Sequence, residues 1–548
     1  MQTATLFLAL SLSVTAPVAY AQHQHPGNLE ASAPVALMPE MGTTHLRVTT
    51  STPQAQAFFN QGLALVYGFN HEEAVRAFRR AAELDPQMAM AHWGVALALG
   101  PNINMPMDAA QGAMAYEALR KAQSLAPSAS ERDQAYIDAL AKRYTGDPAS
   151  FGMEQAQAYA QAMRALAQKY PDDLDAATLY AESLMDLRPW QLWSADGKPA
   201  EGTEEIMAVL ESVLRRDPNH LGANHYYVHT VEASPHPEWA LPSAARLEVL
   251  APGAGHVVHM GGHVYMRTGD YASVIAVNEK GVAADRAYIE KTGATGIYPI
   301  MYAAHNFDFL VTAYSMSGQF DKAMQAAQEL DGRAEAVIRE IPIVEVLLTR
   351  SPGVLVRFQK WDDVLNLPEP GADRPYLRAF RQYARGLAFA ARGNVQLAEQ
   401  ELKALETSRT DLPTETGFSL NSMARIAAVA HAILAARIAE AKGDHQAAIE
   451  HFQQAVALQD ALAYNEPPDW YYPVRESLGG ALLRAGRTQE AEVVFREDLE
   501  RSPRNGRSLF GLMHALRAQG KQAAADEIQR QFEVAWKDAD TELDLATL

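Results

Sequence analysis

The sequence of 548 residues contains no cysteine. This absence excludes disulfide bonds, thiolate metal sites, iron–sulfur clusters, cysteine nucleophiles and haem attachment through a Cys-x-x-Cys-His motif. Any transition metal that the chain binds must therefore be held without thiolate ligands.

Positive charge is also scarce. Lys and Arg number 47 against 66 Asp and Glu, which gives a formal net charge of −19. A nucleic-acid-binding protein presents a basic face and an electrostatic membrane anchor a basic cluster, so the composition disfavours both. The apolar fraction of 48% argues against a wholly disordered chain.

Long hydrophobic runs are missing beyond the N-terminus, where no stretch approaches the ~18 unbroken apolar residues of a transmembrane helix. The short apolar core over residues 6–14, followed by the small residues Ala19 and Ala21, predicts a secretion signal over 1–21 that is cleaved near Ala21. We therefore expect an exported protein, secreted or periplasmic, with no membrane span. Residues 22–50 are rich in Pro, Ala and Thr, which predicts a flexible lead-in.

Signatures of several enzyme classes are absent as well. The sequence has no Gly-x-Ser-x-Gly elbow, no phosphate-binding Walker loop and no His-Glu-x-x-His pair. Serine hydrolases, nucleotide-dependent enzymes and zincin proteases are therefore not supported.

The sequence does contain a repeated pattern of small residues. Gly62, Ala74 and Ala81 are spaced by 12 and 7 residues, and Pro86 follows after 5 more. These spacings recur in part at three further places: Gly386, Ala398 and Leu405; Ala436, Ala448 and Ala455; Gly479, Ala491 and Pro503. Small residues at such intervals let two helices pack closely. Since one hairpin cannot bury its apolar face alone, we expect neighbouring hairpins to stack.

This pattern resembles that of the tetratricopeptide repeat family, whose unit is a helix–turn–helix of about 34 residues. The resemblance covers most of residues 51–540. It implies an all-α fold, an α-solenoid of stacked hairpins in a right-handed superhelix with a concave groove, and almost nothing about chemistry. Insertions into the period divide the array into N-terminal repeats over 51–218, a histidine-rich array over 219–337, an irregular connection over 338–378 and C-terminal repeats over 379–540.

Histidines concentrate in the central array, where seven of the 17 lie between residues 225 and 305. Two runs have helical spacing, and each falls within about 60° of one helix face. Their members are His225, His229 and Glu232 in the first run and His256, His259 and His263 in the second. Neighbours on such a face have Cβ atoms about 5–6 Å apart, near enough for imidazoles to share a metal ion.

The family resemblance adds a register to this spacing. Pro218 and Pro252, which are 34 residues apart, each close one unit. In the family, positions 2, 5, 9 and 12 of the first helix line the concave groove. The resemblance thus implies that three consecutive units direct six histidines and two carboxylates into one groove: His225, His229, His256, His259, His263 and His305, with Glu232 and Asp308.

The ligand types indicate which metals suit such a site. Imidazole with some carboxylate and no thiolate favours copper or zinc, with iron as a third option. Six histidines suffice for two metals with three imidazoles each, or for one metal whose ligands the other histidines orient. Glu232 and Asp308 are candidates for a bridging ligand, an orienting partner or a general base beside a metal-bound water. Candidate substrate contacts in the groove are Arg267, Tyr298, Trp190 and Trp193.

Two functional hypotheses follow. The first is an exported solenoid that binds one or two transition-metal ions, either as a metal-handling protein or as a metal-dependent oxidoreductase or hydrolase acting on a small organic substrate. The second is a non-catalytic scaffold that holds a peptide or protein partner in its groove, the common use of these repeats. Confinement of the histidines to about 221–312 favours the first, because scaffolds usually repeat their groove chemistry across many units.

Overall fold

The computed structural model describes residues 35–144, 152–296, 298–414 and 420–548. The predicted secretion signal lies outside these ranges. Within them the chain is helical, with no β-strand and two isolated β-bridges. None of the described helices combines the length and the apolar character that crossing a bilayer requires.

The α-helices form three consecutive groups. The N-terminal group is α1 (Pro53–Tyr67), α2 (His71–Leu84), α3 (Ala89–Ala98), α4 (Ala109–Leu125), α5 (Glu131–Leu140), α6 (Met153–Lys169), α7 (Leu174–Met185) and α8 (Thr203–Arg216). The central group is α9 (Leu221–Val231), α10 (Leu241–Leu250), α11 (Gly255–His259), α12 (Gly261–Arg267), α13 (Tyr271–Thr292), α14 (Ala303–Met316) and α15 (Phe320–Val337). The C-terminal group is α16 (Arg350–Arg357), α17 (Trp361–Leu365), α18 (Pro375–Ala391), α19 (Val395–Thr410), α20 (Met423–Ala441), α21 (His445–Asp460), α22 (Val474–Arg484), α23 (Thr488–Arg501), α24 (Gly506–Ala518) and α25 (Gln522–Ala535). Each helix packs against the next along the chain, which is the arrangement of a solenoid.

The segment 338–378, expected to be irregular, is largely helical. It contains a 3-10 helix at Pro342–Thr349, the short helices α16 and α17, and the start of α18. The departure from the repeat period therefore reflects short helices rather than a loop.

Glycine and phenylalanine explain how the hairpins stack. The buried ring of Phe78 on α2 lies over Gly62 of α1 and Gly94 of α3, where an added Cβ atom would come within 2.7 Å and 2.4 Å of the ring. Phe495 repeats this arrangement between two glycines of the C-terminal group, Gly479 and Gly511. A side chain on these glycines would push the helices apart, so the close approach depends on their having none.

The turns inside the hairpins repeat as well. A glycine with positive φ stands two residues before the second helix in several units, at Gly269, Gly318, Gly393, Gly443, Gly486 and Gly520. The left-handed conformation is accessible to glycine without steric cost. Asp270 and Asp444 then cap α13 and α21 by accepting hydrogen bonds from the backbone N–H groups of Ser273 and Ala447.

Residues 35–50 belong to the lead-in that the sequence predicts to be flexible, yet the structure packs them against the array. Met38, Met41 and Leu46 are at most 3% exposed. The Met38 amide donates to Gln61 Oε1 at 2.6 Å. Apolar side chains spaced through this stretch supply the burial that its overall composition does not indicate.

The array curls so that its C-terminal end returns to the central group. Asp540 accepts hydrogen bonds from the backbone amides of Phe320 and Asp321 at 2.7 and 3.0 Å. Thr541 donates to the carbonyl of Gly318 at 2.8 Å. This closure brings the loop between α21 and α22, residues 461–473, over the central histidines.

Candidate metal centre

Four helices of the central group carry the six histidines to one place. Helix α9 supplies two, α11 two, and α12 and α14 one each. They form two sets of three, which we call the first triad (His225, His229 and His256) and the second triad (His259, His263 and His305). Within each triad, one ring nitrogen per residue lies within 4.8 Å of the others.

The triads lie inside the protein rather than on an open groove. Five of the six histidines are at most 4% exposed, and only His305 is partly exposed. Burial lowers the pKa of His225, His256 and His259 well below the ordinary value, and that of His305 to about 3. These imidazoles are therefore neutral at physiological pH, the form in which histidine binds a metal.

Hydrogen bonds fix which nitrogen of the first triad is free. Nδ1 of His225 lies 2.5 Å from the carbonyl oxygen of Tyr67, and Nδ1 of His229 lies 2.8 Å from Glu232 Oε1. Because both partners are acceptors, Nδ1 carries the proton and Nε2 a lone pair. Neither Nε2 has a hydrogen-bond partner, and neither nitrogen of His256 has one. Three buried rings thus offer unpaired nitrogens to a common point.

The second triad is oriented in the same way. Nδ1 of His259 lies 3.0 Å from Asn278 Oδ1, and the Asn278 amide donates to the Val274 carbonyl at 2.8 Å, which fixes its oxygen toward the histidine. Nδ1 of His263 is bonded to Glu232 Oε2. The Nε2 atoms of His259 and His263 lie 3.0 Å apart. Glu232 raises the pKa of His263 against the effect of burial. The two Nε2 atoms lie close enough to share either a proton or a metal ion.

Glu232 connects the triads, since each of its oxygens binds Nδ1 of one histidine in each triad. Burial would raise the pKa of Glu232, but His263 and His229 outweigh it and lower the pKa to about 2. The carboxylate is therefore ionised and fully engaged as an orienting partner, one of the roles that the sequence leaves open for it.

The triads form one cluster of rings. Ring centroids within a triad are 4.7 to 6.3 Å apart. Between the triads, His256 lies 5.5 Å from His259, and His229 lies 5.7 Å from His263. Ligands bound at the two triads would therefore be immediate neighbours.

Aromatic residues enclose the cluster. Phe69 packs on the whole first triad, with centroid distances of 4.6 to 5.7 Å. Phe309 packs on the whole second triad at 4.8 to 5.0 Å. Trp190 contacts His229 at 5.5 Å and Tyr302 contacts His256 at 4.7 Å. Walls of this kind favour the binding of a ligand with an apolar or aromatic body.

The other predicted site residues have partners of their own. Both oxygens of Asp308 accept hydrogen bonds from Arg350, at 2.6 and 2.9 Å, so Asp308 is held in a buried ion pair and is not free to act as a base. Arg267 donates two of its five N–H groups to the backbone carbonyls of Glu232 and Ser234, both at 3.1 Å, and these bonds hold its guanidinium against the end of α9.

The remaining two aromatic candidates, Trp193 and Tyr298, also form hydrogen bonds within the protein. Trp193 donates its indole N–H to the Thr230 carbonyl at 2.7 Å, beside the helix that carries the first triad. Tyr298 donates its hydroxyl to Asp285 at 2.9 Å, and the backbone N–H of His256 points to the same hydroxyl at 3.4 Å. Both residues therefore form hydrogen bonds with histidine-bearing helices or with residues beside them. Of the four substrate candidates, only Trp190 packs its ring against a triad.

The loop 461–473 covers the cluster from the C-terminal side. Tyr464 donates a hydrogen bond to Glu466, and its hydroxyl lies 3.5 Å from Glu232 Oε2. Burial raises the pKa of Glu466 to about 7, although nearby His263 acts in the opposite direction. The concave side is therefore filled at this point by the chain itself.

Comparison with known proteins bears on the fold. A family model described as tetratricopeptide repeat matches residues 55–88 and 432–461. The chain carries tetratricopeptide repeats. The first match spans α1 and α2 and the second lies on α20 and α21, so tetratricopeptide repeats stand in both the N-terminal and the C-terminal group.

No protein of curated function matches the sequence. Among solved structures, the human IFIT1 dimer with m7Gppp-AAAA is similar at 12% identity over 90% of this chain and 92% of that one, with a TM-score of 0.33. Yeast Tom70 is similar at 13% identity over 88% and 91%, with a TM-score of 0.30. The Cut9 and Hcn1 complex of APC/C is similar at 13% identity over 89% and 74%, with a TM-score of 0.29. Likenesses of this size carry no information on function.

The repeat register explains one residue that sequence reasoning missed. Phe69 stands two residues before α2, where other tetratricopeptide repeat turns of this chain have glycine, and its φ is 57°. A non-glycine residue in this conformation costs about 1–2 kcal/mol, and such strain clusters at functional sites. The strained turn directs the ring onto the first triad. A phenylalanine at a glycine position is the signal by which the sequence could have revealed it.

Proposed function

We propose that this tetratricopeptide repeat protein binds two transition-metal ions, one in each triad, with copper or zinc as the metal. The observation that carries the proposal is the 3.0 Å approach of Nε2 of His259 to Nε2 of His263 while both Nδ1 atoms are bonded to acceptors. Two nitrogen ligands of one metal, each at about 2.0–2.1 Å, lie about 3 Å apart. The separation thus fits a shared metal ion.

A polar cluster held by hydrogen bonds alone would explain the positions of fewer histidines than two bound metal ions would. A proton on Nε2 of His263 would form a hydrogen bond to His259. That proton would still leave Nε2 of His225, Nε2 of His229 and both nitrogens of His256 buried without hydrogen-bond partners. Each unsatisfied buried polar group costs about 1–3 kcal/mol, and a metal ion in the first triad would satisfy three rings at once.

The donor set supports the choice of metal. The triads offer imidazole nitrogen only, since the chain has no cysteine and both oxygens of Glu232 are bonded to histidines. Imidazole sites bind copper more tightly than the other divalent first-row metals, zinc is also commonly bound by imidazole, and iron remains the weaker option. Asn278, Glu232 and the Tyr67 carbonyl would act as outer partners that hold each ring in its ligating tautomer.

Charge gives a further reason to consider copper. Metal binding requires all six imidazoles to be neutral, and with ionised Glu232 the cluster then carries a net charge of −1. Two Cu(I) ions would bring the sum to −1 + 2 = +1, whereas two divalent ions would bring it to −1 + 4 = +3 and require an additional anion such as hydroxide. A buried centre with uncompensated charge is costly, so either reduced copper or a hydroxide-bearing divalent pair is favoured.

Three imidazoles per metal leave open coordination positions, which is the feature of catalytic sites. With copper or iron such a centre would serve an oxidoreductase, and with zinc a hydrolase whose metal lowers the pKa of bound water. The aromatic walls formed by Phe69, Trp190, Tyr302 and Phe309 suit a small organic substrate. Because His305 is partly exposed, we propose that a substrate would approach from the side of the second triad.

The alternative is an interaction scaffold, since tetratricopeptide repeat proteins commonly bind peptides or proteins. In that case the histidines should be accessible to an extended peptide. Five of the six are at most 4% exposed, and Tyr464 and Glu466 occupy the space above them. Peptide binding elsewhere on the array would be compatible with metal binding, whereas peptide binding at the histidines would require the loop 461–473 to move.

The test is metal analysis of protein purified without a His-tag. We expect about two copper or zinc ions per wild-type chain, about one in His225→Ala/His229→Ala, and about one in His259→Ala/His263→Ala. The matched control is His236→Ala/His445→Ala, which removes two exposed histidines and should leave the metal content unchanged. Equal metal content in the wild type and both triad variants, with circular dichroism showing intact folds, would refute the proposal.

A further inference from the structure

The six histidines differ in how their rings are held. Four of them have a hydrogen-bond acceptor at Nδ1, and these are His225, His229, His259 and His263. Among the described residues, none forms a hydrogen bond with the ring of His256 or with that of His305. Each triad therefore combines two oriented rings with one ring that no hydrogen bond orients.

Aromatic packing encloses the unoriented ring of the first triad. The centroid of His256 lies 4.7 Å from that of Tyr302 and 5.7 Å from that of Phe69, and the residue is 2% exposed. The rings of His225 and His259 lie 5.0 and 5.5 Å away. Because protein interiors are close-packed, a ring surrounded in this way turns only if its neighbours move. His256 is thus fixed by its surroundings.

The unoriented ring of the second triad is less enclosed. In the described part of the chain, the His305 ring packs on Phe309 at 5.0 Å and on the two other rings of its triad, His259 and His263, at 4.9 and 5.6 Å. His305 is also the one histidine of the six that is partly exposed. Neither a hydrogen bond nor a closed aromatic wall therefore keeps this ring in place.

The helix that carries His305 is nevertheless firmly anchored. The next residue, Asn306, donates to Asp285 Oδ2 at 2.7 Å, and Asp308 is held by Arg350 through two hydrogen bonds of 2.6 and 2.9 Å. Movement at this position is therefore a rotation of the side chain. Histidine in a helix has two favourable χ1 rotamers, so the ring can turn away from the triad while α14 stays in place.

We propose that the second triad is the exchangeable metal site of the pair, and that His305 is the ligand that turns toward solvent to admit or release the ion. This inference rests on the two-metal function proposed above. The turn breaks one metal–nitrogen bond and leaves the lone pair on the neutral ring, so that no proton or electron is transferred. His259 and His263 remain as ligands, and the vacated position is open to an incoming ligand. The ion of the first triad stays enclosed.

The oriented rings indicate the size of the difference between the two sites. Loss of an orienting partner typically weakens metal binding 10–100-fold. His305 has no such partner and no enclosure that replaces it, whereas His256 is enclosed. We therefore expect the ion of the second triad to leave about tenfold or more faster than the ion of the first.

Chemical modification of the metal-free, full-length protein tests the accessibility of the ring by itself. Diethyl pyrocarbonate acylates neutral imidazoles that solvent reaches, and peptide mass spectrometry locates the modified residues. Among the six triad histidines, His305 should react first, while exposed His236 reports the full reactivity of the reagent. If His305 reacts no faster than His256, the ring does not turn outward and the proposal is overturned.

Release of zinc from the loaded protein to excess EDTA tests the exchange. We expect two phases of equal amplitude whose rates differ about tenfold or more. His305→Ala should accelerate the fast phase, and added imidazole should slow it again, because the vacated space is reached from solvent. His256→Ala is the matched comparison. It should accelerate the slow phase, and imidazole should not reverse this effect, because the space it leaves is enclosed.

These outcomes separate the exchange from metal binding as such. A chain that binds fewer than two zinc ions would refute the two-metal function itself. Two bound ions that leave at one rate would refute only the exchange through His305. Equal rescue of His305→Ala and His256→Ala by imidazole would have the same meaning, since both rings would then be equally open to solvent.

Discussion

The hydroxyl of Tyr464 lies 3.5 Å from a carboxylate oxygen of Glu232, although 232 residues separate the two in the chain. Glu232 stands between the two histidine triads, and Tyr464 comes from the loop that joins α21 to α22. The contact exists because the C-terminal helices curl back to the central ones. The cluster is thus assembled by the central group and closed by the C-terminal group.

The first prediction concerns Glu232. Glu232→Gln keeps one acceptor oxygen but replaces the other by an amide that cannot accept a hydrogen bond from Nδ1. One triad should lose its orienting partner, and loss of such a partner typically weakens metal binding 10–100-fold. Copper or zinc titrations should therefore show one site close to wild-type affinity and one weakened site.

Glu238→Gln is the matched control for this prediction. Glu238 lies 3.1 Å from Nδ1 of His236, so it forms a similar histidine–carboxylate pair, but on the surface and away from the triads. Metal affinity should be unaffected by this change. If Glu232→Gln behaves as Glu238→Gln does, Glu232 has no part in orienting ligands.

Much of this arrangement is accessible from the sequence. Helical spacing places His225 with His229, and His259 with His263, on common faces. The repeat period then aligns those faces in neighbouring units. The structure brings together all six histidines for this reason, because hairpins that repeat with one period also repeat their orientation.

The residues that contact these helix faces could not be predicted from the sequence in the same way. Asp308 occupies a groove position in the repeat register, but Arg350 follows it from a later helix and binds both of its oxygens. The contact of Tyr464 with Glu232 depends on small rotations summed over many repeats. The repeat register predicts which way a side chain faces. It does not predict which residues of the C-terminal group will lie opposite that side chain.

The second prediction uses the strained turn at Phe69. Because φ is 57° there, glycine should be better tolerated than alanine, so Phe69→Gly should be more stable than Phe69→Ala by about 1 kcal/mol. At Phe78, inside α2, the order should reverse, with glycine less stable than alanine by about 0.5–1 kcal/mol. Urea unfolding midpoints of the four variants measure both differences. If alanine were more stable than glycine at Phe69, as it is expected to be at Phe78, the turn at Phe69 would carry no strain.

The third prediction concerns stacking of the hairpins. An added Cβ at Gly511 would lie 2.1 Å from the ring of Phe495, which is fully buried. Gly511→Ala should therefore destabilise the C-terminal group by about 1–3 kcal/mol through overpacking. Gly332→Ala is the control, since no atom lies within 4 Å of its added Cβ in the middle of α15. That change should stabilise by about 0.5–1 kcal/mol. Urea unfolding that finds Gly511→Ala neutral would contradict this account of packing.

The last prediction is a pH dependence of stability at a residue outside the candidate metal centre. Burial, reinforced by nearby Glu476, raises the pKa of Asp498 to about 7, whereas an unfolded aspartate titrates near about 3.9. Between about pH 4 and 7 the folded chain keeps a proton that the unfolded chain releases, so this residue's contribution to stability falls as pH rises. Asp498→Asn retains an oxygen for the hydrogen bonds from Asn505 and Ser508, at 2.8 and 2.6 Å, and removes the ionisation.

The variant should therefore gain stability relative to the wild type on going from pH 5 to pH 7.5 in urea unfolding, while exposed Asp538→Asn should show no such gain. A constant difference between Asp498→Asn and the wild type across this range would mean that the carboxyl is ionised in the folded chain throughout, and that Asn505, Ser508 and Arg475 compensate its burial.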